Sequence, residues 1–325
     1  MTEQILPKLY RLEIPIPNSP LKATNAYLIK GDDRNLLVDT GQNAALSLEV
    51  MRTRLAELSI ELGKTDIILT HMHADHSGLV PSLKTETSTL YATIADGERV
   101  NNILMDKSFG EWLYNAACRN GLPHAEALTA SNRHPANATA MKEPLHFTFI
   151  TDGAVIAAGG YSFTCIETPG HTRGHICLYD TNKKILISGD HILGDISPNI
   201  TNFWAEGNPL EDFLMSLKKT AALPVDLVLP GHRRIFADCK GRISQLLEHH
   251  RRRIDEVFSI LADGPMTGYQ VAARMTWDMV YKSWDDVVAA QKFFATGEAL
   301  SHLRYLECRG KIQCGISGDT VIYWR

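Results

Sequence analysis

The chain has no apolar run near the roughly 18 residues that a membrane-spanning helix needs. Its opening stretch, MTEQILPKLYRLEIPIP, holds neither an uninterrupted apolar segment nor a cleavage pattern. A membrane anchor and a secretory leader are therefore not expected. Net charge is small: 33 Lys and Arg stand against 37 Asp and Glu, a formal −4. That balance exerts no overall pull on nucleic acid or an anionic membrane, so binding either would need a local basic patch. There is no Cys-x-x-Cys pair. Cys118, Cys165, Cys177, Cys239, Cys308 and Cys314 are scattered, mostly in apolar text, and read as small core residues with reduced thiols in a soluble cytoplasmic protein. Internal repeats and low-complexity tracts are also missing.

What remains is an ordinary globular composition, 325 residues with 44% hydrophobic and 22% charged. It has room for one large core and a smaller module. Residues 9 to 40 read as strands, with NAYLIKGDDRNLLVDTG a hairpin whose polar tip is Gly31 to Asn35. NAALSLEVMRTRLAELSI carries apolar residues at helical spacing, and TDIILT is a short buried strand. Residues 95 to 145 turn helical, with LTASNRHPANATAMKEP loop-like. LHFTFI, AVIAAGGYSFTCIET, HICLYDTNKKILISGD and DLVLPG then return to strands, with the helical LEDFLMSLKKTAAL before the last. From Cys239 a long helix is expected, ended by Gly264-Pro265. Strands, helices and strands again predict an α/β protein with two sheet-forming halves and a boundary near residue 240.

The stretch HMHADHSG follows the apolar TDIILT directly and places His71, His73, Asp75 and His76 within six positions. A tight loop at a strand end can fold several side chains to a common point. His71 and His73 can converge on one ion, and Asp75 and His76 can face a second. Imidazole and carboxylate together suit zinc, iron or manganese. The alternative, a polar loop with chance histidines, leaves four more stretches unexplained. LLVDTG with Asp39, IETPGHTRGH with His171, ILISGDHI with Asp190 and LVLPGHRR with His232 each set a ligand-type residue in a turn after a strand-like run. A neighbouring glycine lets each backbone bend close.

On these five ordered motifs, residues 9 to about 237 resemble the metallo-β-lactamase-fold hydrolase superfamily, which includes glyoxalase II-type thioesterases, lactonases and several nucleases. The resemblance implies a four-layer αββα sandwich over residues 1–238 with the site at one edge between two sheets. It also implies a ligand set. His71, His73 and His171 would bind a first metal, Asp75, His76 and His232 a second, and Asp190 would bridge. Asp39 would support the site from behind, and His175 and His191, beside ligands, would be hydrogen-bonding supports. Two divalent ions, zinc or else iron or manganese, could then share a hydroxide at neutral pH. Asp75 would double as the residue orienting it.

Helical residues 95–145 are a candidate roof over the site, offering Met105, Phe109, Trp112, Leu113 and Tyr114 either as pocket lining or as packing. Trp112, Tyr114 and Trp204 are the candidate substrate contacts, Trp204 lying in the turn-rich ILGDISPNITNFWAEGNP. Such apolar surroundings favour a neutral or acyl substrate over a polyanion. Within residues 239–325, a linker helix precedes a winged-helix-like tail: TGYQVAARM, the recognition-type TGEALSHLRYLECRGK, and the hairpin IQCGISGDTVIYW. The same order recurs in a subgroup that includes a lactamase-like endoribonuclease. Acidic residues balance the basic ones there, which is poor for phosphate neutralisation. HHRRR (249–253) is the one basic cluster, and reads as a solvated helix face. Packing against the site, or contacts in a homodimer, are its expected roles.

The expected activity is therefore metal-dependent hydrolysis of a thioester, ester or lactone in a small-molecule substrate. One rival keeps the metals and cleaves RNA phosphodiester bonds. Another is a non-catalytic DNA-binding regulator. β-Lactam hydrolysis fits poorly with a chain that shows no export signal.

Overall fold

The computed structural model describes residues 1–105, 108–132, 143–203, 207–278 and 280–325. In chain order it comprises β1 (Thr2–Leu6), β2 (Leu9–Pro15), β3 (Ala23–Ile29), β4 (Asn35–Val38), α1 (Ala45–Glu57), β5 (Thr65–Ile68), α2 (Ala74–Ser77), α3 (Val80–Leu83) and β6 (Leu90–Ala92). Three helices follow, α4 (Ile94–Met105), α5 (Phe109–Arg119) and α6 (His124–Asn132). Then come β7 (Thr148–Phe149), β8 (Val155–Ala158), β9 (Tyr161–Glu167), β10 (Ile176–Asp180), β11 (Ile185–Gly189), α7 (Pro209–Ala221) and β12 (Leu227–Pro230). The chain ends with α8 (Cys239–Ile260), α9 (Gly268–Ala272), α10 (Ala289–Cys308), β13 (Gln313–Ser317) and β14 (Thr320–Trp324).

Strands β1 to β7 form one sheet in sequence order, and β12-β11-β10-β9-β8 form a second. Their packing follows from period-two alternation. Tyr27 and Ile29 of β3 meet Tyr161, Phe163 and Cys165 of β9 and Ile185 and Ile187 of β11 in a core between the sheets. The alternate residues Ala26 and Leu28 face outward to Met51 and Leu55 of α1 and Val80 and Leu83 of α3. On the second sheet Cys177, Tyr179 and Leu186 face α7 and the first half of α8. These are the four layers of an αββα sandwich. A one-residue slip in β3 or β9 would exchange the two faces, which is why register is strongly specified here.

Local chemistry agrees with the helices. In α7 the Asn208 side chain accepts from Glu211 N, Pro209 opens the first turn, Glu211 and Asp212 follow it, and Lys218 and Lys219 close the last. Its buried Leu210, Phe213, Leu217 and Thr220 make the stripe that covers the sheet.

A further core lies outside the sandwich. Phe109, Leu113 and Ala117 of α5 pack with Val257 of α8, Val271 of α9 and Phe293, Leu300 and Leu303 of α10. Of the two roles open to the 95–145 segment's large apolar residues, packing is the one Phe109 and Leu113 perform. Trp112 and Tyr114 lie partly buried against the same core, and the Tyr114 hydroxyl meets His124 Nδ1 at 2.8 Å. Trp204 falls outside the described residues. Helix α8 spans both cores, so residue 240 marks the start of an element that the two share.

Several expectations need correction. The strands begin at Thr2, because β1 pairs antiparallel with β2. Leu128 to Asn132, expected in a loop, are the last residues of α6. The His249-His250 face is not solvated: His250 is fully buried and meets His302 at 3.3 Å. The arginines beside it are matched by acids one turn away, Arg251 by Glu248 and Asp255 and Arg253 by Glu256. Of the six cysteines, all free, only Cys165, Cys177 and Cys239 are buried. The recognition-type helix α10 is buried along much of its length, packed among α6, α8 and α9. Among the described residues, no helix is long and apolar enough to cross a membrane.

Candidate metal centre

Five strand ends deliver the site. Asp39 follows β4, His71 to His76 follow β5 through the single turn α2, His171 follows β9, Asp190 follows β11, and His232 follows β12. The pairs β4/β5 and β11/β12 run parallel, so their C-terminal ends share an edge and their loops meet there. Close approach is enforced at Gly231, where a Cβ would lie 2.4 Å from Asp190 Oδ1 and 2.8 Å from His76 Cε1.

The side chains expected to converge do so. His71, His73 and His171 offer ligand atoms within 4.8 Å of one another, as do Asp75, His76 and His232, and as do His71, His76 and Asp190. Asp190 therefore lies between two triads. Its Oδ2 is 3.6 Å from His171 Nε2 and 3.3 Å from His232 Nε2, and its Oδ1 is 3.6 Å from His76 Nε2. Asp75 Oδ2 lies 3.3 Å from His232 Nε2.

Hydrogen bonds behind the rings fix the tautomers. His171 Nδ1 donates to Asn199 O at 2.8 Å and His232 Nδ1 to Ala23 O at 2.8 Å. His76 Nδ1 donates to Asp39 Oδ2 at 2.8 Å. Asp39 also accepts from Thr70 N and Thr70 Oγ1. With its proton committed to Asp39, Thr70 Oγ1 accepts from His71 Nδ1 at 3.1 Å. In each neutral ring the Nε2 lone pair is thus left facing the centre. Asp39, expected as a support, orients His76 directly and His71 through Thr70.

The two neighbouring histidines differ. His175 Nε2 accepts from Asp190 N at 3.1 Å and so holds the backbone that presents Asp190. His191 sits farther out, its Nε2 at 3.0 Å from Thr220 Oγ1, with its ring edge-on to Phe213.

The donor set fits a divalent cation. His71 Nε2 and His73 Nδ1 lie 3.1 Å apart, and His76 Nε2 and His232 Nε2 3.4 Å apart. His171 Nε2 and Asp190 Oδ1 are buried with no hydrogen-bond partner. Burial and the neighbouring imidazoles hold His71 well below its ordinary pKa; burial and His171 bring His73 down to about 3. Burial acts the same way on His76, but Asp39, Asp190 and Asp75 outweigh it and push its pKa up to about 9. A field that raises proton affinity in this way also attracts a cation. Imidazoles and carboxylates in this number suit a divalent metal, which competes with protons for the same atoms.

One supporting residue escaped the sequence reading. Asp96, in the first turn of α4, is buried. Its Oδ2 accepts from Met72 N at 2.9 Å and Thr172 Oγ1 at 2.5 Å, and its Oδ1 from Gly174 N at 2.7 Å. It clasps the His71–His76 loop to the His171 loop. An acidic residue in a first helical turn is commonplace, so no sequence signal set it apart.

The sequence model of the metallo-beta-lactamase superfamily matches residues 20–232. The chain is 26% identical over 307 residues to "Probable metallo-hydrolase YqjP" of Bacillus subtilis (strain 168), covering 91% of this chain and 92% of that protein. A crystal structure of a metallo-beta-lactamase family protein from Thermus thermophilus is similar throughout, with TM-score 0.82 and 29% identity over 99% of this chain and 100% of the other. "Atrochrysone carboxyl ACP thioesterase" of Aspergillus fumigatus is 24% identical over 241 residues, 74% of this chain and 60% of its own length.

Proposed function

The chain belongs to the metallo-beta-lactamase superfamily, and as a metal-dependent hydrolase of that family we propose that it cleaves an acyl bond, a thioester first and an ester or lactone next, in a small-molecule substrate. The observation that carries the reading is the convergence of ligand atoms from His71, His73, His171, Asp75, His76, His232 and Asp190. We assign His71, His73 and His171 to one divalent ion, Asp75, His76 and His232 to a second, and Asp190 to both, with zinc the expected metal. Bound ions of this kind polarise an acyl oxygen and lower the pKa of water from 15.7 to about 7.

The protein's own residues hold that chemistry in place. Asp39 and Thr70 set the tautomers of His76 and His71, and backbone carbonyls set those of His171 and His232. His175 fixes Asp190, and Asp96 keeps the two ligand loops together. His76 and His232 outweigh the effect of burial on Asp75 and hold its carboxyl below the usual carboxylate range. Asp75 is thus ionised and can accept a hydrogen bond from an incoming water. In the net reaction the water's oxygen joins the acyl carbon, the carbon–sulfur or carbon–oxygen bond breaks, and a proton goes to the departing thiol or alcohol.

Two observations favour an acyl substrate. A relative 24% identical over 74% of this chain carries the name of an acyl-carrier thioesterase. Two of the arginines beside the ligands in sequence are engaged elsewhere: Arg234 pairs with Asp195, and Arg233 donates to Pro20 O. They do not form the free cluster that grips a phosphate backbone. The test is elemental analysis of the purified chain, then turnover of acyl-pantetheine thioesters, lactones and a phosphodiester on one preparation. Thioester or lactone cleavage abolished by a chelator is expected. Phosphodiester cleavage alone would overturn the acyl assignment.

A further inference from the structure

Asn199, whose backbone carbonyl orients His171, lies in a strip of chain held against α10. Asn199 Nδ2 donates to Glu298 Oε2 at 3.1 Å and lies 3.5 Å from Phe294 O. Asn202 N donates to Gly297 O at 3.1 Å. Phe203 stacks on Phe293, ring centroids 4.3 Å apart and 17° from parallel. At Gly297 a Cβ would lie 2.8 Å from Phe203 Cε2 and 3.0 Å from Thr201 Cβ, so the helix is glycine where the strip presses closest.

We infer that Glu298 is a positioning residue for the metal centre, acting through Asn199 on His171 from almost a hundred residues away. The inference rests on the reading of His171 as a ligand. Glu298 is buried, and burying a carboxylate is costly unless it is hydrogen-bonded. Its side-chain hydrogen bond goes to Asn199, with the buried Arg253 charge nearby. The carboxylate supplies an acceptor that pins the Asn199 side chain. With side chain and backbone of Asn199 both constrained, its carbonyl points at His171 Nδ1 and fixes the ring's tautomer and rotation. The C-terminal helices thereby complete the centre.

The test uses the full chain carrying Glu298→Ala, Glu298→Gln, Asn199→Ala or His171→Ala. Zn2+ affinity is read by chelator competition, ligand geometry by the visible absorption of bound Co2+, and folding by thermal melts. Glu298→Ala and Asn199→Ala are expected to lower affinity by about 10–100-fold and to shift the Co2+ bands. Glu298→Gln should restore most of the affinity, because its amide oxygen accepts the same Asn199 N–H. Asn199 is half-buried in a loop, so its variant keeps the question answerable if Glu298→Ala unfolds. Wild-type affinity and spectrum in Asn199→Ala, with binding lost in His171→Ala, would overturn the inference alone. Wild-type binding in His171→Ala would remove the ligand reading and the inference with it.

Discussion

Among the described residues, two groups of buried histidines stand apart, and one of them is built for a cation. In the C-terminal pair, His302 Nδ1 donates to Glu298 O at 2.8 Å, which leaves its Nε2 to accept from His250 Nδ1 at 3.3 Å. Each contact has one proton and one lone pair. At the strand-end site the Nδ1 protons of His76, His71, His171 and His232 are committed to Asp39, Thr70, Asn199 and Ala23, and the Nε2 atoms of these rings converge inward. Burial is common to the two groups. The donor count separates them, and it identifies the metal site more sharply than clustering does.

The largest expected effect tests the centre itself. Asp190→Ala should abolish both turnover and metal retention while the fold persists, read by elemental analysis and circular dichroism; His250→Leu should leave metal content at the wild-type level. Retained metal in the first, or lost metal in the second, would erase the distinction. Next in size, Asp39→Ala removes the acceptor behind His76 and Thr70 and should weaken Zn2+ binding by about 10–100-fold, measured by chelator titration.

A smaller effect is expected on stability at Asp96. Asp96→Ala strands three buried donors, each worth about 1–3 kcal/mol, and should lower unfolding free energy by about 3 kcal/mol or more in urea. A last test sharpens the C-terminal side. Burial holds His302 down to about 3 and, with His302 beside it, His250 well below its ordinary value. The unfolded chain takes up these protons below pH 6.5 and the folded chain does not, so the pair's contribution to stability falls as pH drops from 6.5 toward 3. The slope is about 1.4 kcal/mol per pH unit for each histidine. His302→Leu should flatten that acid limb relative to wild type in melts across the range, and an unchanged limb would contradict the assignment.

The site was legible where residue type and spacing carry it. His71, His73, Asp75 and His76 announce themselves in one loop, and Asp39, His171, Asp190 and His232 each follow a strand. Short apolar runs bounded by turn residues made the two sets of strands readable too. Asp96 and Glu298 were not legible, because an acid at a helix start or on a helix face has no mark that separates a solvated residue from a buried clasp. Asn199 O and Ala23 O were further out of reach, since every residue has a backbone carbonyl. His250, in a run that also contains three arginines, looked like surface until α10 covered it.

The order of ligand-bearing turns and the two sets of strands belong to the sequence by itself, because apolar runs and residue chemistry are local properties of the chain. Tertiary structure alone decided which lone pairs face inward, which carbonyl holds which ring, and that α10 reaches the centre through Asn199. Those outcomes depend on where protons and backbone groups lie after segments a hundred residues apart have packed, and no local pattern encodes that.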